Sequence, residues 1–335
     1  MRKLVFHIGP HKTASSYIQK SLSDNFEFLR SKGVLYPKRW RDFLWGHHSL
    51  VTDIMNFENR NEVVSDLVDF LNEEFKQFNT VVFSSENFEY WTAEQIQSLN
   101  AVNNMEIEIV YYVRKHSGLA FSAWQENIKH GSTKSFSEFL FKHFSQPFTS
   151  TLFNYLLVLK KFSDNLPNAK LNIVVYDNLL KEKIDIAEHF FSNVLDINFS
   201  QNRMDKVNTA LSSIDIEIIR VLNATYGFRG IKGSDYIRNK FIKNKSLYKE
   251  ELSILKISSS DFVEEISFND NMFVSNTIYK NLMEKFSEYC VNSAEEALFI
   301  ENGAKEYNVI SSDIWLVSKN KYCLDKIVSI LDSLD

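Results

Sequence analysis

The stretch that most constrains this chain lies at its start. Leu4 to Ile8 is a short apolar run that stops at Gly9-Pro10, and from Ser15 the apolar residues Tyr17, Ile18, Leu22, Phe26 and Leu29 recur at helical spacing as far as Lys32-Gly33. A continuous apolar run of that length reads as a strand buried on both faces, and the change to a helical period reads as the helix that follows it. Strand, tight loop and helix in that order open a βαβ unit, which requires a parallel sheet. The connecting loop, His7-Ile8-Gly9-Pro10-His11-Lys12-Thr13-Ala14-Ser15-Ser16, places a lysine and small hydroxyl residues at a helix start. Unpaired N–H groups and the positive end of the helix dipole gather there, so the arrangement suits a phosphate or sulfate group. It is not a Walker A loop, because G-x-x-x-x-G-K-[ST] is absent and the Gly9 to Lys12 spacing is too short. An ordinary helix capped by Thr13 or Ser15 fits the same residues.

Downstream, the alternation continues. Gly33 to Pro37 reads as a short strand, residues 62–78 as an amphipathic helix, and Thr80 to Ser85 as a strand rich in β-branched and aromatic residues. Strands at 106–113 and 171–176 alternate with helices at 117–129, 136–144, 152–162, 184–194 and 213–222. This order predicts an α/β fold, a three-layer sandwich with a central parallel sheet and helices on both faces. Ligands in such sheets bind beyond the carboxyl ends of the strands, where the motifs below fall. After about Tyr226 the pattern changes: Arg229, Lys232, Arg238, Lys240, Lys243, Lys245 and Lys249 make a basic stretch, followed by an acidic one. We therefore expect a core over 1–225 and a mostly helical C-terminal extension over 226–335, packed on the core and open to a role in the acceptor or nucleotide site.

A length of 335 residues allows one large domain with an appendage, and 44% hydrophobic residues indicate a globular chain. The net charge of −5 excludes a strongly basic, nonspecific nucleic-acid binder, so an anionic ligand must be held by local charge and backbone donors. Cys290 and Cys323 stand far apart and outside C-x-x-C spacing, which favours free thiols over a disulfide or zinc framework. The apolar run at the N-terminus is too short for a signal peptide, and no stretch approaches the roughly 20 apolar residues of a membrane helix, so a cytoplasmic protein is expected.

Three further constellations carry chemistry. Ser84-Ser85-Glu86-Asn87-Phe88 sets a carboxylate at a strand end, where it serves either as a general base or as a cap or solvated acid. Val113-Arg114 ends a strand, with Ser122 eight positions on; an arginine fork and a hydroxyl suit one anion, and a surface ion pair is the plainer reading. In Trp45-Gly46-His47-His48-Ser49, the two histidines diverge on a helix, which disfavours a metal site made by them alone and leaves an acid–base, substrate-contact or structural role for one.

In order and spacing, Gly9 to Gln19 resembles the donor loop of bacterial sulfotransferases, a Gly-x-x-Lys-Thr-Gly-Thr-Thr pattern before the first helix. Ser84-Ser85-Glu86 is similar to the strand-end Ser-Glu of that family, and Arg114 with Ser122 to its 3′-phosphate motif. Ser135 to Leu140, Phe153-Asn154-Tyr155, Val175 to Leu180 and Val207 to Ser212 follow in matching order, so the resemblance spans roughly residues 1–225. It implies a P-loop NTPase-like sulfotransferase architecture and 3′-phosphoadenosine 5′-phosphosulfate (PAPS) as donor, leaving PAP as product. By the same resemblance Lys12 contacts the transferring group, Thr13, Ala14, Ser15 and Ser16 hold the 5′-phosphate, and His11 and Tyr17 belong to the donor-binding loop. Arg114 and Ser122 hold the 3′-phosphate, Tyr176 and Asn208 border the nucleotide, and Glu86 deprotonates the acceptor with His47 or His48 beside it. No visible motif calls for a metal. Ala14 stands where the family has Gly, and it is strained if its φ is positive. The acceptor is expected to be a small molecule or glycan, with a lean to carbohydrate because aromatic residues suit sugar rings. A P-loop-type small-molecule kinase and a catalytically weakened nucleotide-binding protein are the alternatives.

Overall fold

The computed structural model describes residues 2–42, 45–102, 104–199, 211–228, 234–269, 273–290 and 304–334. Its elements in chain order are β1 (Lys3–His7), α1 (Ser15–Asp24), α2 (Phe26–Ser31), β2 (Val34–Leu35), α3 (His48–Met55), α4 (Arg60–Glu74), β3 (Thr80–Ser84), α5 (Ala93–Gln97) and β4 (Glu106–Val113). Then come α6 (His116–Lys129), α7 (Phe136–Phe144), α8 (Tyr155–Asn165), β5 (Lys170–Val175), α9 (Tyr176–Glu182), α10 (Ile186–His189) and α11 (Ser213–Phe228). The chain ends with α12 (Ser234–Lys243), α13 (Lys249–Ser258), β6 (Val263–Asn269), α14 (Phe273–Phe286), β7 (Ala304–Ile310) and α15 (Ser318–Asp332). Residues 1–116, 147–207 and 271–301 form one compact unit, and 117–146, 208–270 and 302–335 form a second. Neither unit ends at residue 225.

The first unit holds a five-stranded sheet in the order β2-β3-β1-β4-β5. Every pairing in it is parallel. From β1 the chain goes out to β2, returns to β3, then crosses β1 to reach β4 and β5. The direction of winding reverses between β1 and β4, so the loops leaving these two strands diverge and open a crevice beyond their carboxyl ends. Parallel sheets need cover on both faces, which explains the unbroken apolar runs Leu4-Val5-Phe6 and Val81-Val82-Phe83. Alternate residues serve opposite faces. Val5, Val82, Val110, Tyr112 and Val174 face Ile18 and Leu22 of α1 together with Phe190, Phe191 and Val194. On the other face Phe6 packs on Phe83 and Phe88, and Phe88 on Trp91. Each fully buried side chain of this size contributes about 1.5–3 kcal/mol. Ile18→Asp, which buries a charge between α1 and the sheet, is the single change most certain to unseat the helix.

In the second unit Arg220 of α11 grips Glu217 through Nε and Nη2, at 2.7 and 2.8 Å, and donates through Nη1 to the Thr133 carbonyl. The C-terminal third contains helices, as expected, and also the antiparallel pair β6–β7. That pair escapes a sequence reading because β6 buries little beyond Phe268, and only Tyr307 and Val309 in β7 alternate as a half-buried strand should. Within the former basic stretch, Lys245 pairs with Asp215 at 2.7 Å, whereas Arg229 and Lys232 lie outside the described residues. Among the described residues no helix is long and apolar enough to cross a membrane.

Candidate functional site

The β1–α1 loop is built as an extension of the sheet. Ile8 N–H donates to the Val110 carbonyl and Tyr112 N–H to the Gly9 carbonyl, so the chain runs beside β4 for two residues past the end of β1. On the other side Ser85 N–H donates to the His7 carbonyl. The loop then turns tightly, with positive φ at Gly9 (101°), Lys12 (67°) and Ala14 (64°). Gly9 is required twice: its φ excludes most side chains, and a Cβ there would lie 3.2 Å from both Cα and Cβ of Glu86. Lys12 and Ala14 accept the left-handed conformation at a cost of about 1–2 kcal/mol each. The condition set for Ala14 is met, so it does occupy a position that favours glycine. Ala14 is also the N-cap of α1, where among the described residues no side chain caps the helix. Thr13 and Ser15, the caps expected from sequence, do not serve. Thr13 is buried and its hydroxyl donates to the Pro10 carbonyl at 2.7 Å, which corrects its expected role as a ligand hydroxyl: that proton closes the loop. The α1 start is left with backbone donors, buried Ser15 and exposed Ser16.

Glu86 arrives from the end of β3. Ser85 caps the 3₁₀ helix Glu86–Tyr90 by accepting from Asn87 N–H, which turns Glu86 back over Gly9. Its Oε2 accepts from Gln19 Nε2 at 2.9 Å, and Oε1 stands 4.0 Å from His11 Nδ1. Burial pushes this carboxyl up, but the charges of His11 and His48 outweigh it, and with the hydrogen bonds they leave Glu86 below its ordinary value. The second carboxyl, Glu89, lies 3.6 Å from His11 Nε2, and burial followed by the charge of Glu86 pushes it up to about 8.

The two adjacent histidines separate as their helical positions demand. His47 is wholly buried; its Nδ1 accepts from Ser84 N–H at 3.2 Å and its Nε2 donates to the Pro37 carbonyl at 3.0 Å. Desolvation lowers it to about 3, so it is a neutral, structural imidazole, which corrects its placement among the catalytic residues. His48 is bonded at Nδ1 to the Ser85 hydroxyl at 2.6 Å and lies near Asn87 Nδ2 at 3.3 Å. Ser85 Oγ also accepts from Asn87 N–H, and His48 Nε2 faces Asp42, 3.9 Å away. Gly46 packs so closely on Nε2 that a Cβ would come within 2.6 Å of it. His48 therefore orients the turn that carries Glu86. The imidazole that meets Glu86 is His11, which the sequence pointed to only as a donor-loop residue.

From the end of β4, Arg114 Nη1 donates to the Lys12 carbonyl at 2.6 Å and its guanidinium lies 4.9 Å from the Tyr176 ring, at the start of α9. The Arg114 carbonyl accepts from the Tyr155 hydroxyl, and Asp177 accepts from Lys115 N–H at 2.7 Å. Lys12, Arg114 and Tyr176 are thus assembled from the ends of β1, β4 and β5. Tyr17 donates its hydroxyl to Asp185 at 2.8 Å, which fixes α1 against α10. Ser122 belongs to the second unit, where its hydroxyl donates to the Gly118 carbonyl one helical turn back. Asn208 lies outside the described residues.

Sequence reasoning passed over Glu89, and gave Gln19 and Ser85 no role of their own within the motifs that contain them. The signal for Glu89 was its spacing: residues three apart eclipse on a 3₁₀ helix, and Ser85 followed by acids marks a helix start. A cleft of about 660 Å³ elsewhere in the first unit, lined among others by Trp40, Asp53 and Asp69, includes none of these residues, so we take the loop cluster as the site on its chemistry. Comparisons with protein-family models, with curated proteins and with solved structures return no match for this chain.

Proposed function

We propose that the chain is a sulfotransferase that moves a sulfuryl group from PAPS to a hydroxyl or amine acceptor, with a carbohydrate favoured. The observation that carries the reading is that three motif residues come from neighbouring strand ends, with Arg114 bonded to the Lys12 carbonyl and Glu86 packed over Gly9 of the same loop. Lys12 comes from the loop after β1, Glu86 from the end of β3, and Arg114 from the end of β4. The motif order in the sequence supplies the same three groups in the roles of sulfuryl contact, base and phosphate anchor.

The residues present suit a donor with two phosphate groups. The uncapped start of α1 offers backbone N–H donors and the positive dipole end to the 5′-phosphate, with Ser15 and Ser16 adding hydroxyls. Arg114, braced by the Lys12 carbonyl and the Tyr176 ring, presents its fork to the second phosphate, and Tyr176 offers a flat face beside it. The donor supplies an activated sulfuryl group. Glu86, held ionised below its ordinary value, takes the acceptor proton, a role worth about 10²–10⁴-fold in rate. Lys12 offsets the charge that develops on the leaving phosphate, and the fixed loop supplies alignment. A small-molecule kinase remains the second reading by fold alone, but its Walker A loop is missing from the sequence.

Calorimetry with PAP and with ATP tests the assignment. PAP should bind to the native protein and bind at least tenfold more weakly to Arg114→Ala. Glu86→Gln should keep PAP affinity and lose sulfuryl transfer, and Lys12→Ala should lose transfer most severely. Preference for ATP, or indifference of PAP affinity to Arg114, removes the reading.

A further inference from the structure

Glu86 and Glu89 occupy one face of a single 3₁₀ turn, where side chains three apart eclipse. His11 reaches across from the opposite loop and stands against both, with Nδ1 4.0 Å from Glu86 and Nε2 3.6 Å from Glu89. Its ring also packs on Tyr90, at 5.6 Å between centroids, which limits how far it can swing. Two largely buried carboxyls at this separation cannot both be ionised without strong repulsion, and one imidazole between them decides where the charge rests.

The balance of the surroundings differs between the two carboxyls. Glu86 receives Gln19 from α1 and faces His11 and His48, all of which favour its anion. Glu89 is buried among Tyr90 on its own turn, Tyr111 of β4 and Lys161 of α8. Lys161 donates to the Glu89 backbone carbonyl at 2.8 Å; its charge and a hydrogen bond from Tyr90 favour the Glu89 anion but are outweighed by burial and by the charge of Glu86. Tyr155 on α8 packs against Tyr111 and donates its hydroxyl elsewhere, to Arg114.

We propose that Glu89 is the protonated member of a carboxyl–imidazole–carboxyl bridge through His11, and that the bridge keeps Glu86 as its ionised member. His11 and Glu89 are then positioning residues: they set the charge state of the residue that faces the acceptor without meeting the acceptor. The role assigned to Glu86 rests on the sulfotransferase reading, but the bridge itself does not. In donor terms, Glu89 keeps a second negative charge out of an anion-binding crevice until the pH passes about 8.

Carbon-13 labelling of glutamate carboxyls and histidine rings, followed by NMR from pH 3 to 10 on the intact protein, tests this directly. The Glu89 carboxyl should titrate near pH 8, where it was placed above, and Glu86 below the ordinary glutamate range. The His11 ring should sense the Glu89 step, and Glu89→Gln should abolish it. In His11→Asn the Glu86 midpoint should rise, because a charge that favours its anion has gone. A Glu89 carboxyl that ionises at its ordinary value, or a His11 step that survives in Glu89→Gln, overturns the bridge. PAP affinity at pH 7 and 9 reads the other premise: it should weaken severalfold at pH 9 in the native protein and not in Glu89→Gln. If PAP binds at neither pH while the titrations behave as described, the bridge stands and the donor reading falls.

Discussion

Glu89→Gln gives the sharpest physical test of the site, because its effect on stability has a sign and a pH window of its own. Unfolded, the Glu89 carboxyl loses its proton near 4.5; folded, it keeps it to about 8. Between those values the folded chain binds more protons than the unfolded one, so stability falls as pH rises. The buried histidines act the other way but lower down: His7, His47 and His116 drop from 6.5 to about 4, 3 and 3 when folded, so their contribution grows with pH and levels off only about a unit above 6.5. Glu86 lies below its ordinary value and changes its contribution only in acid. Between pH 6.5 and 8 these histidines still add about 0.4 kcal/mol each, equally in the native protein and the variant, so the difference between the two isolates Glu89. Over that interval the folded carboxyl holds its proton for the equivalent of about 1.2 pH units, at about 1.4 kcal/mol per unit, which costs the native protein about 1.6 kcal/mol. Glutamine removes the titration and, being near-isosteric, little else. Urea unfolding of both proteins at pH 6.5 and 8, monitored by circular dichroism, should show the native protein losing about 1.6 kcal/mol more than the variant. Parallel behaviour of the two across that interval would falsify the protonated assignment of Glu89.

Other substitutions separate loop geometry from chemistry. Gly9→Ala meets both a positive φ and the backbone of Glu86, so thermal unfolding should show a loss of about 1–3 kcal/mol and PAP affinity should fall with it. Ala14→Gly relieves the left-handed strain of about 1–2 kcal/mol but returns about 0.4–1 kcal/mol through the unfolded chain, so stability should rise by at most about 1.6 kcal/mol; a clear loss would contradict the strain seen at Ala14. His47→Ala strands Ser84 N–H and the Pro37 carbonyl and should cost about 1–3 kcal/mol in denaturant. Any PAP affinity lost in that variant should be recoverable at lower temperature, because His47 touches no ligand. Arg114→Lys keeps the charge but loses the fork, so PAP should bind more weakly and its affinity should depend more steeply on salt.

The parallel sheet was legible because each of its longer strands is an unbroken apolar run between helical periods. The sites at its carboxyl edge followed from where those runs stop. Lys12, Glu86 and Arg114 each sit within two residues of such a stop or on the loop that leaves it. What sequence could not rank was the set of imidazoles. His47, His48 and His11 are the same residue type at the same edge, and only packing shows that one is buried on backbone, one is spent on Ser85, and one spans two carboxyls. Glu89 was hidden for a related reason. A short 3₁₀ turn has no amphipathic period to read, so its inward acid looks like any solvated one. Thr13 misled because a hydroxyl at a helix start can cap, bind a ligand or close its own loop, and the choice depends on φ values at Lys12 and Ala14 that residue types do not dictate.

The two hydrogen bonds that carry the ladder past β1, from Ile8 to Val110 and from Tyr112 to Gly9, have a consequence for how a ligand would be met. The first turn of the loop shares the stiffness of the central strands, and Arg114 ties its far side to the end of β4. The entropy of shaping that cradle is spent when the chain folds. An anion entering it should find donors already aimed, with association governed by desolvation and charge, and with amide exchange at Tyr112 as slow in the free protein as in the complex.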